Sequence, residues 1–364
     1  MKRKITTCIA AGVLAIIMGG CGANSPSEGT NSAGNTGPIQ KGKGETVTLV
    51  AYDSFPTKDI APGFEKATGY KLKVVAGADG AELTNKLVVT KDNPLGDVAL
   101  GMDNNVAFTA HEKGVFTPAN VKLPQDADKY ALKGGGELLP FDRSQYCLNY
   151  DAAWFKEKGK QPPSGFADLT KPEYKGLLTV ADPRKSTPGM GFLAATIAAN
   201  GGGETSAWQE FWKQLRANDV LVQPGWTEAF AHFTAGGEGG DKPIMTGYST
   251  SGAYPTGKDG NGNPVYNLKT VESTCYQATE YMGLLAGAKN SEGGRALLDY
   301  LLSKAAQEKI AATNYMYPVN DQAAVPAELK EHGKEVPGAP ALDPQTVAKN
   351  RTVWLKAWAD VMGQ

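Results

Sequence analysis

The residues with the clearest chemical potential form a turn between an apolar run and a helical run. Over 180–191 the chain reads VADPRKSTPGMG and carries two adjacent hydroxyls, Ser186 and Thr187. A helix that begins here leaves backbone N–H groups free, and these groups with the two hydroxyls suit a small polar ligand. Simple N-capping by Ser186 is the alternative on this stretch alone. A second copy of the arrangement, GWTEA at 225–229, favours binding.

Acidic and amide side chains follow two other predicted strands. Asp53 and Ser54 come directly after the first predicted strand, and Asp103 and Asn104 follow the third. In a doubly wound α/β sheet, ligands bind outside the carboxyl ends of the strands. We therefore expect these four residues at the rim of a ligand site, although each alone is more often a cap or turn residue.

Aromatic residues complete the candidate site. Trp226 lies in the second turn, and Tyr248 and Tyr254 follow a later predicted strand. An aromatic face attracts a cation by about 0.5–2 kcal/mol and stacks on heteroaromatic rings. A carboxylate accepts hydrogen bonds from an amino group and offsets positive charge. Carboxylates together with aromatic rings therefore predict a site for a planar organic cation.

Two α/β units must position these residues. In the first unit the predicted strands are 45–51, 71–76 and 97–100, and the predicted helices are 60–68, 81–89 and 106–113. The second unit repeats the order around strands at 176–180, 220–222 and 243–247. Two extended segments, 141–150 and 270–280, join the units. The pattern predicts an α/β fold of two lobes, each a mixed sheet flanked by helices, with the polar and aromatic turns facing a cleft.

Two cysteines fall on the joining segments. Cys8 lies in a predicted signal peptide and Cys21 is a predicted anchor, which leaves Cys147 and Cys275. Two remaining cysteines of an exported protein most often pair. If the segments lie side by side, the two could come within disulfide distance, and the bridge would add about 2–4 kcal/mol of stability. The alternative is that one of them is a nucleophile.

The N-terminus reads as an export signal. Within residues 1–20 three basic residues precede an apolar run that is too short to span a bilayer as a mature helix. Small residues before Cys21 resemble a bacterial lipoprotein cleavage site, and ordinary secretion with an unmodified Cys21 is the alternative. Residues 21–44 have the composition of a flexible tether. We therefore expect an extracytoplasmic protein that is lipid-anchored to the cell membrane at Cys21.

Charge and histidine spacing exclude several classes of function. The chain has 37 basic and 38 acidic residues, and loss of the signal removes three bases and no acid, so 34 bases against 38 acids leave a net charge of −4. Nothing in the sequence forms the basic patch that nucleic acid requires. His111, His232 and His332 are scattered without triad-like or metal-like spacing. We predict no catalytic residues, no metal site and no nucleic-acid partner.

The chain resembles the thiamine-binding, substrate-delivering proteins of bacterial ABC importers. The resemblance covers nearly all of residues 46–360. The motifs that carry it stand in the family's order and are YDSF at 52–55, LGMDNN at 100–105, LPFD at 139–142, DPRKSTPG at 182–189, GWTEA at 225–229, YSTSGAY at 248–254 and MYPV at 316–319.

The resemblance implies a type II periplasmic-binding-protein fold that closes on its ligand like a hinge. We expect lobe 1 at 45–145 plus 277–320, lobe 2 at 146–276, and a C-terminal helical segment at 321–364 of unassigned lobe. The resemblance also implies a monomeric binding protein without a cofactor, not an enzyme. It would capture thiamine or a thiamine phosphate and deliver it to the membrane permease of an ABC importer.

The family's ligand contacts fall, by motif, on Asp53 or Asp103, Ser186, Trp226, Tyr248 and Tyr254. With their neighbours and the ring before MYPV, the predicted ligand-binding set is Asp53, Ser54, Asp103, Asn104, Ser186, Thr187, Trp226, Tyr248, Tyr254 and Tyr315.

The sequence departs from the family pattern at two places. Tyr315 stands where the family has Trp, and this smaller ring leaves the preference among thiamine and its phosphates open. Phosphate capture would fall to the Ser186–Thr187 turn, with Arg184 or Lys185. The insert GGEGG at 236–240 is predicted to be a loose loop.

Rival functions remain at this point. Secreted thiamine-degrading enzymes of the same fold need a reactive thiolate and a base in the cleft, whereas Cys147 and Cys275 lie on the joining segments. Ferric-iron binders use adjacent tyrosines, and no Tyr-Tyr pair occurs here. Polyamine binders use aromatics and carboxylates much as this chain does, so that alternative stays open.

Overall fold

A ten-stranded mixed sheet forms the centre of the structure, a computed structural model that describes residues 42–236 and 239–364. The predicted signal peptide, the lipidation at Cys21 and residues 21–41 of the predicted tether lie outside the described residues. Gly237 and Glu238 of the predicted 236–240 loop also lie outside them. Among the helices that the structure describes, none combines the length and the apolar character needed to cross a bilayer.

The elements alternate as the sequence pattern predicts. The strands are β1 Thr46–Ala51, β2 Lys71–Ala76, β3 Val98–Asp103, β4 Phe116–Thr117, β5 Leu138–Asp151, β6 Leu178–Ala181, β7 Leu221–Gln223, β8 Ile244–Tyr248, β9 Gly257–Lys258, β10 Pro264–Val265, β11 Leu268–Leu285 and β12 Tyr317–Pro318. The helices are α1 Thr57–Thr68, α2 Gly80–Val89, α3 Ala107–Glu112, α4 Ala152–Glu157, α5 Thr187–Ala199, α6 Ala207–Ala217, α7 Trp226–Ala231, α8 Ser291–Leu302, α9 Lys304–Thr313, α10 Ala327–His332 and α11 Pro344–Met362.

Two long strands connect the α/β units. The sheet order is β2-β1-β3-β11-β5-β8-β6-β7, and β5 and β11 pair antiparallel along most of their lengths. Residues 280–284 of β11 pair with β3 of the first unit, whereas residues 146–150 of β5 pair with β8 of the second unit. These two strands contain the predicted joining segments 141–150 and 270–280. The architecture is thus the predicted two-lobed α/β fold; the exact lobe limits stay a prediction.

Helix α5 occupies the interior of the second unit. It is apolar on all sides, which is typical of a buried helix, and its residues 187–197 are all buried. The helix begins at Thr187, five residues before the apolar run alone suggests. Ser186 caps it, and Pro188 suits the first turn because its missing N–H would be unpaired there.

The C-terminal helix α11 packs against both units. It contacts α6 of the second unit and α3 of the first. Trp358 lies edge-on to Trp212 of α6 with a ring-centroid distance of 5.7 Å. Trp354 and Trp358 are both buried, so these aromatics are core residues.

The disulfide predicted from the joining segments is present in the structure. Cys147 of β5 and Cys275 of β11 are bonded, with their Cα atoms 4.2 Å apart. The bond lies beside the irregular register between Val271 and Tyr276 of β11. The predicted joining segment 270–280 lies within β11, which continues to Leu285. The sequence pattern missed α4, α10 and several two-residue strands, which are too short to show a hydrophobic period.

Candidate functional site

A cavity of about 290 Å³ lies between the strand-end turns of the two units. Its wall is built from the end of β1, the starts of α2, α5 and α7, the end of β8 and the segment after α9. The residues that line it are Tyr52, Asp53, Ser54, Asp79, Gly80, Thr187, Pro188, Trp226, Thr227, Phe230, Tyr248, Thr250, Ser251, Tyr254, Leu268, Glu280, Asn314, Tyr315 and Met316. None of these lining residues is a lysine or an arginine.

Four aromatic rings form one continuous side of this cavity, which we call the aromatic wall (Trp226, Phe230, Tyr254 and Tyr315). Trp226 and Phe230 are one turn apart in α7 and stack at 4.8 Å with an interplanar angle of 16°. Phe230 meets Tyr254 edge-on at 5.7 Å, and Tyr254 meets Tyr315 edge-on at 5.9 Å. The wall offers π-faces to a flat or cationic ligand.

Three buried carboxyl groups lie side by side beneath the cavity, and we call them the carboxyl row (Asp103, Glu280 and Asp142). They occupy paired positions on neighbouring strands, because Glu280 of β11 pairs with Asp103 of β3 on one side and with Asp142 of β5 on the other. All three are at most 5% exposed. Only Glu280 among them reaches the cavity lining.

The carboxyl row is electrostatically strained. Burial raises the pKa of Asp103 to about 6, against hydrogen bonds from Asn105 and Tyr146 that lower it. Burial raises the pKa of Asp142 to about 8. Burial, and then the charges of Asp142 and Asp103, hold the pKa of Glu280 well above its ordinary value. The carboxyl row therefore still holds protons near neutral pH.

A fourth carboxylate joins three helix N-termini at the edge of the cavity. Asp79 Oδ1 accepts hydrogen bonds from the N–H groups of Gly80 (2.6 Å) and Thr187 (3.0 Å), and Oδ2 accepts one from Trp226 (2.9 Å). These are the first residues of α2, α5 and α7. Glycine is required at 80, because a Cβ there would lie 2.7 Å from Thr187 Cγ2 and would collide with the Gly101 carbonyl. Asp79 thus ties the first unit to the second.

Seven of the ten predicted ligand-binding residues line the cavity. They are Asp53, Ser54, Thr187, Trp226, Tyr248, Tyr254 and Tyr315. The structure brings together turns that are far apart in the sequence, as the strand-end rule predicts.

The other three predicted residues lie behind the lining. Asp103 is fully buried and accepts hydrogen bonds from Tyr146 Oη (2.8 Å) and Asn105 Nδ2 (2.7 Å). Asn104 Oδ1 accepts from the N–H of Thr279 (3.0 Å). Ser186 is fully buried, and its hydroxyl caps α5 by accepting from a backbone N–H. These side chains therefore support the site from within the fold, and ligand contact by them stays a prediction.

Sequence reasoning missed several lining residues. They are Tyr52, Asp79, Gly80, Pro188, Thr227, Phe230, Thr250, Ser251, Leu268, Glu280, Asn314 and Met316. Two signals were available. Phe230 lies one helical turn after Trp226, and Glu280 is a single acid inside the apolar end of a long strand. A carboxyl group at such a position is rare unless it is paired or functional.

The two basic candidates for phosphate capture differ in position. The Arg184 guanidinium bonds Asp182 and Gln364 and lies 5.2 Å from the centre of the Trp358 ring, so it is engaged with α11. Lys185 lines a smaller cavity of about 110 Å³ beside the main one, together with acidic residues that include Glu82 and Glu228.

Comparisons with known proteins place the chain among extracellular solute-binding proteins. The sequence model of a family described as "Bacterial extracellular solute-binding protein" matches residues 93–339. The chain is 32% identical over 322 residues to the thiamine-binding periplasmic protein of Salmonella typhimurium strain LT2, covering 86% of this chain and 92% of that protein. It is 31% identical to the protein of the same name from Escherichia coli K12, with the same coverage. A solved structure of a periplasmic thiamin binding protein superposes with a TM-score of 0.76 at 27% identity, covering 90% of this chain and 100% of the other.

Proposed function

The chain belongs to the bacterial extracellular solute-binding proteins, and from this premise we propose that it captures thiamine outside the cytoplasm and delivers it to an ABC importer. Thiamine has a thiazolium ring, which carries a permanent positive charge, and an aminopyrimidine ring. Both rings are planar, and the two relatives compared above are thiamine-binding proteins. Those relatives are binding proteins and not enzymes, so the chain would hold thiamine without changing it.

One observation carries this proposal, namely the meeting of the aromatic wall and buried carboxyl groups in a single cavity without a lysine or arginine. The volume of about 290 Å³ lies at the lower end of what small-ligand sites occupy. The thiazolium would stack against the Trp226 face, where cation–π attraction is strongest for indole rings. The carboxylates of Asp53 and Asp79, which also line the cavity, would favour a cation over a neutral ring of equal size.

Capture and release would use a hinge between the lobes. β5 and β11 are the strands shared by both units. Bending of these strands near Cys147–Cys275 would open the cavity while the disulfide keeps the two strands together. The hydrogen bonds from Thr187 and Trp226 to Asp79 would break on opening and form again on closure. This motion would place the ligand against the permease in a defined orientation.

We also propose that the mature protein is a monomer anchored to the membrane by a lipid on Cys21. The cysteine follows small residues at the end of the predicted signal and precedes a tether-like segment. Growth of a bacterial host with labelled palmitate should label the protein, and Cys21→Ala should lose the label. A wild type that carries no label would contradict the anchor.

Calorimetric titration of residues 45–364 with thiamine tests the central proposal. We expect one site, and we expect Trp226→Ala to weaken binding about tenfold to a hundredfold, because a stacked cation–π contact and its buried area are lost. Trp154→Ala is the matched control, since Trp154 packs on Phe155 away from the cavity. Intact thiamine should be recovered after the complex is denatured, whereas a cleaved product would indicate an enzyme.

The rival ligands are part of the same titration. If folded, ligand-free protein does not bind thiamine but binds spermidine, the ligand is a polyamine and not thiamine. A visible charge-transfer band on adding ferric citrate would replace it with iron. Quenching of tryptophan fluorescence by thiamine, lost in Trp226→Ala, would support the stacking geometry.

A further inference from the structure

The carboxyl row contains one group that faces the cavity without a partner. Glu280 is 5% exposed, lines the cavity, and its Oε2 atom has no hydrogen-bond partner among the described residues. A buried polar atom without a partner is rare in folded proteins and calls for an explanation. A ligand group that bonds this oxygen would supply one.

The three carboxyl groups differ in how well their charged forms are stabilised. Asp103 accepts three hydrogen bonds, two from Asn105 and one from Tyr146. Asp142 accepts one long bond of 3.4 Å from Asn314. Glu280 accepts none that the structure records. Since adjacent buried carboxyl groups cannot all be ionised, the proton belongs on Glu280 first.

The groups around Glu280 also favour the proton on this residue. The titratable groups that face it are Asp79 before α2, Asp103 on β3, Asp142 and Tyr146 on β5, Tyr52 after β1 and Tyr248 at the end of β8. All are acids or phenols. Two arginines carry the nearby positive charges. Arg351 interacts electrostatically with Asp103. Arg143 donates a hydrogen bond to Glu335 and lies over the rings of Tyr130 and Tyr317. Among the described residues, no positive charge therefore compensates an ionised Glu280.

We propose that Glu280, in its neutral protonated form, is the residue that recognises the aminopyrimidine ring of the ligand. Its O–H donates to a ring nitrogen, and its C=O accepts from the adjacent exocyclic amino group. A neutral carboxyl group offers one donor and one acceptor side by side, which is the complement of that edge. This inference rests on the proposed function, because it assigns one half of thiamine to the carboxyl row and leaves the thiazolium to the aromatic wall.

A paired set of variants distinguishes a neutral Glu280 from an ionised one. Glu280→Gln keeps a donor and an acceptor but no charge, so thiamine affinity should stay within about threefold of the wild type. Glu280→Ala leaves the ring edge unpaired and should weaken thiamine binding about tenfold or more. Glu272→Gln is the matched control, because Glu272 is exposed on the same strand. If Glu280→Ala does not fold, Glu280→Met replaces it, since methionine fills similar space without a hydrogen-bonding group.

A second ligand locates the contact. The 3-benzyl analogue of the thiazolium half keeps the cation and carries a phenyl ring in place of the aminopyrimidine. The loss of affinity caused by Glu280→Ala should fall to within about threefold for this analogue. The substitution in the protein and the ring replacement in the ligand remove the same contact, so their effects are not additive.

Three results would have different meanings. Loss of thiamine binding in Glu280→Gln as large as in Glu280→Ala would overturn the neutral form and assign an ionised glutamate to the cation. A penalty that persists with the benzyl analogue would overturn the contact with the aminopyrimidine. Failure of the wild type to bind thiamine would instead overturn the proposed function itself, and the role of Glu280 in recognising the aminopyrimidine would fall with it.

Discussion

The aromatic wall lines the cavity and the carboxyl row lies beneath it, with Glu280 alone reaching the lining, and the two are built in opposite ways. The wall stands on α7, on the segment that follows β8 and on the segment after α9, and Tyr254 within it is 38% exposed. The row stands in the middle of the sheet on three paired strands, and its members are at most 5% exposed. A change in the wall should therefore alter ligand affinity with little effect on folding. A change in the row should alter stability and its pH dependence. Glu280 is the exception, because it is buried in the row and also lines the cavity, so a change there should alter both stability and affinity.

The largest expected effect on stability is the loss of the disulfide between β5 and β11. Cys147 and Cys275 tie β5 to β11, the strands that carry Asp142 and Glu280. The double change to serine should lower the free energy of unfolding by about 2–4 kcal/mol, because the bond closes a long loop. Thiamine affinity should change little, since neither cysteine touches the aromatic wall.

Urea unfolding and titration of the same variant check this prediction. The wild type under reducing conditions is the control for the substitutions. If the variant unfolds like the wild type but binds thiamine much more weakly, the distinction between row and wall would be wrong, because the central strands would then contribute directly to binding.

Removal of Asp79 tests the junction between the two regions. Asp79→Ala leaves three backbone N–H groups at Gly80, Thr187 and Trp226 without their acceptor. A lost charge-assisted acceptor costs about 1–3 kcal/mol. We expect unfolding to become easier by that amount and thiamine affinity to fall, because the turn that carries Trp226 is no longer held. Asp92→Ala serves as the control, since Asp92 is exposed and does not line the cavity.

Asp142→Asn probes the row through pH. The pKa of an unfolded aspartate is about 4, and that of folded Asp142 is about 8. The folded protein therefore binds more protons than the unfolded chain between these values, so stability falls as pH rises from about 4 to about 8. Since the introduced amide does not titrate, the drop in melting temperature between pH 5 and pH 8 should shrink by a few degrees.

Thermal unfolding of the empty protein across this pH range is the measurement. Asp92→Asn, at an exposed position, controls for the loss of one negative charge. An equal change in both variants would mean that the pH dependence comes from net charge and not from the carboxyl row.

The sequence predicted the wall far better than the row, for a physical reason. Trp226 and Tyr254 follow β7 and β8 closely, and the segments at the strand ends of an α/β sheet meet at one edge whatever the strand register. Glu280 lies in mid-strand, where its neighbours depend on the register of β11 with β3 and β5 and on the irregularity after Glu280. That register is set by long-range pairing and cannot be read from one segment.

The strand-end rule itself succeeded only in part. Asp53 and Asp103 both follow predicted strands, yet Asp53 lines the cavity and Asp103 is buried as the last residue of β3. The difference comes from local partners, because Asn105 and Tyr146 hold the Asp103 carboxyl inside the fold. The sequence identifies the edge of the sheet but not which carboxylate is retained by its neighbours.

Tyr315 gives the smallest expected effect and the finest test of the wall. This residue has a positive φ of 52°, uncommon outside glycine and a conformation that clusters at functional sites. Its ring meets Tyr254 edge-on at the end of the wall. Tyr315→Trp enlarges the stacking face without moving the backbone and should tighten thiamine binding about twofold to fivefold, which corresponds to roughly 0.5–1 kcal/mol. Tyr315→Leu, which removes the ring, should weaken binding by more than that, and both variants should unfold like the wild type. If the two substitutions shift melting temperature and leave affinity unchanged, then Tyr315 belongs to the scaffold, and the wall that selects the ligand ends at Tyr254.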